Sequence, residues 1–209
     1  GEVTLSHNGV LFLDELPEFS RMALEVLRQP LEDGFVTISR VQATLSFPAL
    51  FILISAENPC PCGFYGENDG GDIERYHKKI SGPLLDRIDI QIHVPKLDYN
   101  DMNNIVPAEC SSSIRKRVTA ARSLQTERLK KSGLHCNAAM QHRAIKKLCS
   151  LTPQAANLLE KAFKNLGLSA RSYDRIIKVA QTIADLEGSS SIGTAHLGEA
   201  IELRMINKE

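Results

Sequence analysis

The sequence carries no excess of either charge, no regular cysteine pattern and no long apolar run. Its 209 residues include 25 Lys and Arg and 25 Asp and Glu, so no overall basic field indicates nucleic acid. Its five cysteines are odd in number and scattered, which argues against a disulfide framework and favours a reducing compartment, the cytoplasm. Since no apolar run approaches the ~20 residues that span a bilayer, we expect no membrane association.

The motif G-x-x-x-x-G-K-[ST], a loop whose backbone amides cradle nucleotide phosphates, is also absent from the chain. The chain begins with Gly-Glu-Val rather than Met and enters an apolar strand pattern almost at once. We therefore expect a piece of a longer protein, with further sequence upstream of Gly1.

Charge is nevertheless distributed unevenly along the chain. Residues 1–34 contain seven acidic and two basic side chains, whereas residues 111–148 contain ten Lys and Arg and one acid, Glu127. Such asymmetry can mark a partner surface, although a solvated helix face is the more common explanation.

Two short apolar runs lead into polar residues. Val10–Leu13 precedes Asp14 and Glu15, and Leu50–Ile54 leads towards Asn58. A continuous apolar run predicts a strand buried on both faces, and the carboxyl ends of such strands form the ligand crevice of an open α/β sheet. Acids there could hold Mg²⁺ through water and polarise an attacking water, and an amide could fix a water or a phosphate oxygen. Alternatively, both acids only begin a loop or cap a helix, and Asn58 is a turn residue.

Local patterns predict further elements around these strands. The spacing of apolar residues predicts a helix over residues 17–33, ended by Gly34. Residues 35–47 favour two strands that meet at a turn near 40–42, and residues 88–94 alternate as a third strand. The remainder is predicted to be helical, with helices that open at Ser111, Asn137, Thr152, Ser169 and Thr194 and glycine stops at Gly133, Gly167 and Gly188.

Two arginines are candidates for phosphate contacts. Arg87 lies just before the alternating segment and could be an arginine finger, although a structural ion pair is the commoner role. Arg171 lies at the start of a predicted helix, where an ordinary surface residue is the simplest interpretation.

Four blocks of sequence, in this order, resemble the Mg-chelatase-like family of AAA+ ATPases, including its ComM/YifB branch. The blocks resemble the Walker B region (residues 1–19), the sensor-1 segment (56–63), the arginine-finger segment (81–89) and the sensor-2 helix (169–173 through 183–188). They include LFLDE, AENPCPCG, SGPLLDRID and SARSY, and they span nearly the whole chain.

The resemblance implies a role for each of five residues. Asp14 and Glu15 would be the Walker B pair, with Asp14 holding Mg²⁺ through water, and Asn58 would be sensor 1. Arg87 would act as a finger on a neighbouring subunit's nucleotide, and Arg171 would be sensor 2, meeting the γ-phosphate. Because the family's phosphate loop lies upstream of Gly1, we expect this chain alone to be inactive as an ATPase.

The resemblance also bears on the hairpin and on two cysteines. The family's hairpin before sensor 1 projects towards the ring's pore, so Arg40 and Gln42 could contact DNA phosphates, unless this is a plain surface hairpin. Cys60 and Cys62 are half of a structural zinc site, which needs four ligands. His77 could supply a third ligand, but no fourth is near, so we expect ordinary thiols and no zinc.

The implied fold is a partial P-loop-type AAA+ α/β core with an inserted β-hairpin over residues 1–97, followed by a linker helix and helical lid over 98–209. The full-length protein would be a hexameric ring that hydrolyses ATP with Mg²⁺ and acts on DNA as a branch-migration helicase. Alternatives are a chelatase-type remodelling motor for a metal-inserting enzyme, or a regulatory scaffold that binds nucleotide without much turnover.

Overall fold

The computed structural model describes residues 1–41, 43–58, 76, 78–95 and 108–205, with Met205 described by its backbone alone. These residues divide into two compact units, Gly1–Ile88 and Asp89–Glu209. The first unit is mixed α/β, and the second is built from helices.

The first unit contains short elements only. In chain order they are α1 (Glu2–Leu5), β1 (Val10–Leu13), a 3-10 turn (Leu16–Glu18), α2 (Arg21–Val26), α3 (Arg28–Asp33), β2 (Phe35–Arg40), β3 (Ala43–Pro48), β4 (Ile52–Ser55) and α4 (Gly82–Leu85). The two predicted apolar strands and the predicted hairpin are confirmed by these bounds.

The four strands form two separate two-stranded sheets. Strands β1 and β4 are parallel, in a register that pairs Val10 with Ile52 and Leu13 with Ser55. Strands β2 and β3 form an antiparallel hairpin that runs from the Phe35–Pro48 pair to the Arg40–Ala43 pair at its tip. A parallel pair needs a crossover connection, and α2, α3 and the hairpin together make it.

One face of the β1–β4 pair packs on the first unit's apolar core. Buried in that core are Leu11, Leu16, Leu24, Leu27, Ile80 and Leu84. The other face is exposed: Val10 and Phe12 on β1 are 53% and 59% accessible, and Ile52 and Ile54 on β4 are 64% and 48% accessible. The prediction of strands buried on both faces is therefore wrong for this chain. Successive side chains of a strand point to opposite faces, and the described elements cover only one of them.

The predicted helix over residues 17–33 is broken into a 3-10 turn and two short helices. A Ser20 hydroxyl caps α2 by accepting from the Ala23 amide at 3.2 Å, which opens a new helix after the turn. The break between α2 and α3 falls at Leu27, three residues before Pro30. Proline has no N–H for the bond to the residue four places earlier, so the ladder weakens there.

Gly34 ends α3 as predicted, and its backbone conformation favours glycine. Its φ of 75° lies in the left-handed region. A Cβ added to it would come within 2.6 Å of the Leu50 Cδ2 atom. The left-handed φ allows the turn that sends the chain into the hairpin, whereas the exposed Leu50 side chain could move aside.

Residues 88–94 do not form the predicted third strand. The segment is irregular, and Ile90, Ile92 and Val94 are more than half exposed. Within the second unit, the Gln91 amide donates to the Leu203 carbonyl at 2.7 Å, and Asp89 pairs with Arg175. A strand forms only beside a partner, and the described residues contain no strand next to this segment.

The second unit is a helical assembly. Its elements are α5 (Ser111–Leu129), 3-10 turns at Lys130–Ser132 and Asn137–Ala139, α6 (His142–Leu148), α7 (Pro153–Leu166), α8 (Ala170–Glu187) and α9 (Thr194–Met205). Its core is centred on α8, whose Ile176, Ile177 and Ala180 are fully buried with Leu159 and Leu197 of the neighbouring helices.

Most predicted helix boundaries in this unit are confirmed. Thr152 and Ser169 accept from the Ala155 and Ser172 amides, at 3.2 and 3.1 Å, and so cap α7 and α8. Gly167 and Gly188 end these helices with φ of 59° and 77°.

Two predicted caps are wrong. The residue before α5 is Cys110, which makes no side-chain capping bond, although the helix does begin at Ser111. Asn137 does not cap α6, because that helix starts only at His142. Asn137 is instead buried in a polar cluster of the second unit, where its amide donates to Asp185 at 2.9 Å.

Candidate active site

The carboxyl ends of β1 and β4 meet at one edge of the small parallel sheet. The Ala56 amide donates to the Leu13 carbonyl at 3.1 Å, and the Leu16 amide donates to the Ala56 carbonyl at 2.9 Å. These two bonds continue the strand pairing beyond the sheet. They hold Asp14 and Glu15 beside the segment that leads to Asn58.

The backbone turns sharply at the two acids. Glu15 has φ 50° and ψ 52°, a left-handed conformation that residues other than glycine seldom adopt. The Asp14 carboxylate accepts from the Glu15 amide at 3.0 Å, which steadies the turn. Behind it, Leu16 and Pro17 are buried in the core, whereas both acidic side chains are exposed to solvent. The turn thus exposes two adjacent carboxylates, while the two residues that follow them are held in the core.

Tyr76 was not singled out from the sequence, but the structure associates it with this acidic edge. Burial raises the pKa of the Tyr76 phenol, and the charges of Glu18, Glu15 and Glu57 raise it further. Carboxylates from both strand ends therefore act on one buried ring. A single tyrosine in a predicted short helix carries no pattern that would have marked it, although the structure does place Tyr76 in a helical conformation.

The chemistry of this edge suits a divalent cation bound together with phosphate. Mg²⁺ in nucleotide enzymes is held by one or two carboxylates, with water and phosphate oxygens completing its octahedron. Asp14 and Glu15 are two exposed carboxylates of this kind at the edge. Within the described ranges, no group of three or more His, Cys, Asp or Glu side chains could enclose a metal by itself. Asn58 is exposed and follows Ala56, the last residue bonded at this edge, by two positions.

The structure places Arg87 in an ion pair within its own unit. Its guanidinium donates to the Pro83 carbonyl at 2.6 Å and pairs with the Glu32 carboxylate. Only 8% of the side chain is exposed. This is the structural alternative weighed for Arg87, and a finger role would require the Glu32 pair to open.

Arg171 and Arg40 are both exposed. Arg171 lies in the first turn of α8, two residues after the capping Ser169. Arg40 ends β2 next to Val41, which is fully exposed at the hairpin tip. Gln42, Cys60, Cys62 and His77 lie outside the described residues.

Comparison with known proteins identifies the family. The family described as magnesium chelatase, subunit ChlI, matches residues 1–102, and its C-terminal part matches residues 108–204. The chain belongs to the magnesium chelatase subunit ChlI family. The two matches together run through the candidate site, the hairpin and the helices of the second unit.

Curated relatives of this family match almost the whole chain. Competence protein ComM of Haemophilus influenzae is 46% identical over 98% of the chain, and the YifB protein of Escherichia coli is 41% identical over all of it. An uncharacterized protein of Mycobacterium bovis is 36% identical over 98%. The chain spans about 40% of the length of these relatives.

Helices in the described part of this family member are too short or too polar to cross a membrane.

Proposed function

We propose that this chain is the Walker B-to-lid part of an AAA+ ATPase that forms a hexameric ring and moves DNA. The observation that carries the proposal is the meeting of Asp14, Glu15 and the segment up to Asn58 at one sheet edge. Parallel strands deliver polar side chains to the crevice at their carboxyl ends, where nucleotides bind in α/β proteins. Membership of the ChlI family supports the same interpretation.

In the proposed site each residue has a distinct task. Asp14 holds Mg²⁺ through its water shell, and the ion neutralises charge on the nucleotide's phosphates. Glu15, one residue further around the tight turn, orients and polarises the attacking water. Asn58 fixes that water or a phosphate oxygen without adding charge.

Two arginines complete the proposed site from outside this sheet edge. Arg171, exposed at the start of α8, would meet the γ-phosphate as sensor 2. Arg87 would serve a neighbouring subunit as the finger, once its pair with Glu32 opens. The loop that cradles the phosphates is absent from the chain, so in this proposal it comes from the longer protein to which the chain belongs.

The target of the motor is the second part of the proposal. The relatives that match the chain nearly end to end include a competence protein, and the exposed hairpin ends in Arg40, a side chain that suits a phosphate backbone. A chelatase-type remodelling motor is the competing function, favoured by the description of the matched family. A nucleotide-binding scaffold fits poorly with an intact set of five catalytic and sensor residues.

The test is the ATPase of the full-length protein with Glu15→Gln. Loss of the group that orients water should lower turnover by about 10²–10⁴-fold, the usual contribution of a positioned acid–base group. ATP affinity should be retained, since Asp14 still holds the metal. Near-normal turnover in this variant would refute the Walker B assignment.

Asp33→Asn is the matched control, because it removes one exposed carboxylate from the end of α3 and should retain wild-type turnover. Single-stranded and branched DNA should then stimulate the wild-type ATPase. Absence of stimulation by either DNA would refute DNA as the target and leave the remodelling motor.

A further inference from the structure

The amino-terminal half of α5 is a highly charged helix with little packing. Residues 111–120 are all exposed, and burial begins only at Ala121, followed by Gln125 and Leu129. The packed residues recur at intervals of four, so they define the side of α5 that faces the second unit. The opposite side is open over the first three turns.

On that open side lies a continuous polar surface, which we call the α5 stripe. Its members are Ser112, Arg115, Lys116, Thr119, Ala120 and Ser123. They follow Ser112 by three, four, seven, eight and eleven residues, spacings that place them on one side of the helix. At 100° and 1.5 Å per residue, the α5 stripe is about 16 Å long and lies about 150° around the helix from the packed side.

The two cations of the α5 stripe lack a carboxylate partner in the part of the chain that the structure describes. Their neighbours differ: Arg117 pairs with both carboxylate oxygens of Glu109, at 2.9 and 3.1 Å, and Arg128 pairs with Asp185 at 2.6 Å. The one acid of α5, Glu127, comes a full turn after Ser123, beyond the α5 stripe. Arg115 and Lys116 therefore present positive charge that no described side chain neutralises.

We propose that the α5 stripe binds the phosphate backbone of nucleic acid, without reading its sequence. Arg, Lys and Thr side chains are regular ligands of phosphate oxygens, and Ala120 lets the backbone approach closely. Two cationic contacts come from Arg115 and Lys116, and the Thr119 hydroxyl adds a third, neutral contact. Ser123 lines the surface but donates to the Thr119 carbonyl at 3.0 Å. The inference deepens the proposed function, on which it rests, by naming a DNA-binding surface on α5 in addition to the hairpin.

A protein partner suits this surface less well. Protein interfaces are enriched in aromatic side chains and depleted of lysine, and the α5 stripe offers no apolar side chain larger than alanine. The exposed Ile114 and Val118 lie on the packed side of α5 instead. The chain's own acidic segment, residues 1–34, is also partly neutralised, because Glu25 pairs with Arg28 and Glu32 pairs with Arg87.

The test is the salt dependence of duplex DNA binding by the 209-residue chain, followed by fluorescence anisotropy of a labelled duplex. Loss of two phosphate contacts in Arg115→Ala/Lys116→Ala should lower the slope of log K against log salt by about 1.8. Between about 50 and about 200 mM salt, the variant should lose about 12-fold less affinity than the wild type. Alanine is the best helix former, so α5 itself should persist, as circular dichroism can verify.

Arg143→Ala/Lys147→Ala removes the same charge from exposed positions on α6 and should leave the slope at its wild-type value. The charge-reversed Arg115→Glu/Lys116→Glu should weaken binding further than the alanine pair. Equal slopes for both alanine pairs, or no DNA binding by the wild-type chain, would overturn the proposal. If the wild-type chain self-associates and only the Arg115/Lys116 variants abolish this, the proposal is overturned in favour of a second copy as the partner. DNA stimulation of the full-length ATPase is measured separately. Failure of the proposed function is therefore distinguishable from failure of DNA binding by the α5 stripe.

Discussion

The buried ion pair of the second unit should dominate the stability of its helices, and Asp185→Asn isolates its charge. The Asp185 side chain is 1% exposed and accepts hydrogen bonds from the two terminal guanidinium nitrogens of Arg128, at 2.6 and 2.7 Å. It also accepts from Asn137 at 2.9 Å and from Gln181 at 3.1 Å. The substitution keeps the volume of the side chain but leaves the Arg128 charge without its anion.

The expected cost follows from the full burial of Asp185 and the partial burial of Arg128. Breaking a buried pair by removing one member costs about 3–5 kcal/mol. Arg128 keeps 22% exposure and a 2.9 Å hydrogen bond to the side-chain Oδ1 of Asn137, so we expect the lower end, about 3 kcal/mol. With a slope of about 2 kcal/mol per molar urea, the unfolding midpoint should fall by about 1.5 M at unchanged slope.

Glu109→Gln is the matched control, because it also replaces a carboxylate by an amide in an ion pair with two hydrogen bonds to arginine. In this pair Glu109 is 44% exposed and Arg117 is 51% exposed. An exposed pair contributes about 0–1 kcal/mol, so the control midpoint should barely move. Urea unfolding followed by circular dichroism compares the two variants. If Asp185→Asn lowers the free energy of unfolding by no more than the control does, the reasoning is refuted. The attraction between Arg128 and Asp185 would then only offset the desolvation of the two charges.

The pH dependence gives an independent check on Asp185. Burial alone would raise its pKa, but hydrogen bonds from Arg128, Asn137 and Gln181 outweigh burial and hold the pKa below its usual 3.8. A depressed carboxyl pKa stabilises the fold above the unfolded-state pKa, and this stability is lost as the pH falls through the folded-state value. The difference between wild type and Asp185→Asn should therefore be full near neutral pH and shrink only below about 4.

Two further predictions concern the proposed nucleotide site. Arg87→Ala should lower the ATP turnover of the full-length ring by about 10³–10⁵-fold. Mixing this variant with subunits disabled in the phosphate loop should partly restore turnover. If assembly is verified and turnover is not restored, Arg87 is only the structural partner of Glu32. The 209-residue chain should bind no Mg-ATP in calorimetry, because affinity comes mainly from the amides and lysine of the absent loop; micromolar binding would reveal a site other than the one at Asp14 and Glu15.

Patterns with a purely local cause were predictable from the sequence. The apolar runs before Asp14 and before Asn58 form strands, as an unbroken apolar run of this length favours locally, although only one face of the strand pair packs on the core. The caps at Thr152 and Ser169 follow from hydroxyls that accept from amides three residues away. Asn137 had the same local signal, but a buried anion at Asp185 is the stronger partner, and no local rule could foresee it.

The sequence by itself determined the family, the hairpin, most helix boundaries of the second unit, and the placement of Asp14 and Glu15 at the end of an apolar strand. Only the tertiary structure decided which of these features meet. Parallel pairing of β1 with β4 brought the two polar strand ends to one edge, and the burial of Arg87 against Glu32 gave a partner that lies far away in sequence. Residues 88–94 have the alternation of a strand but remain irregular, because alternation is local whereas a strand needs a hydrogen-bonded neighbour.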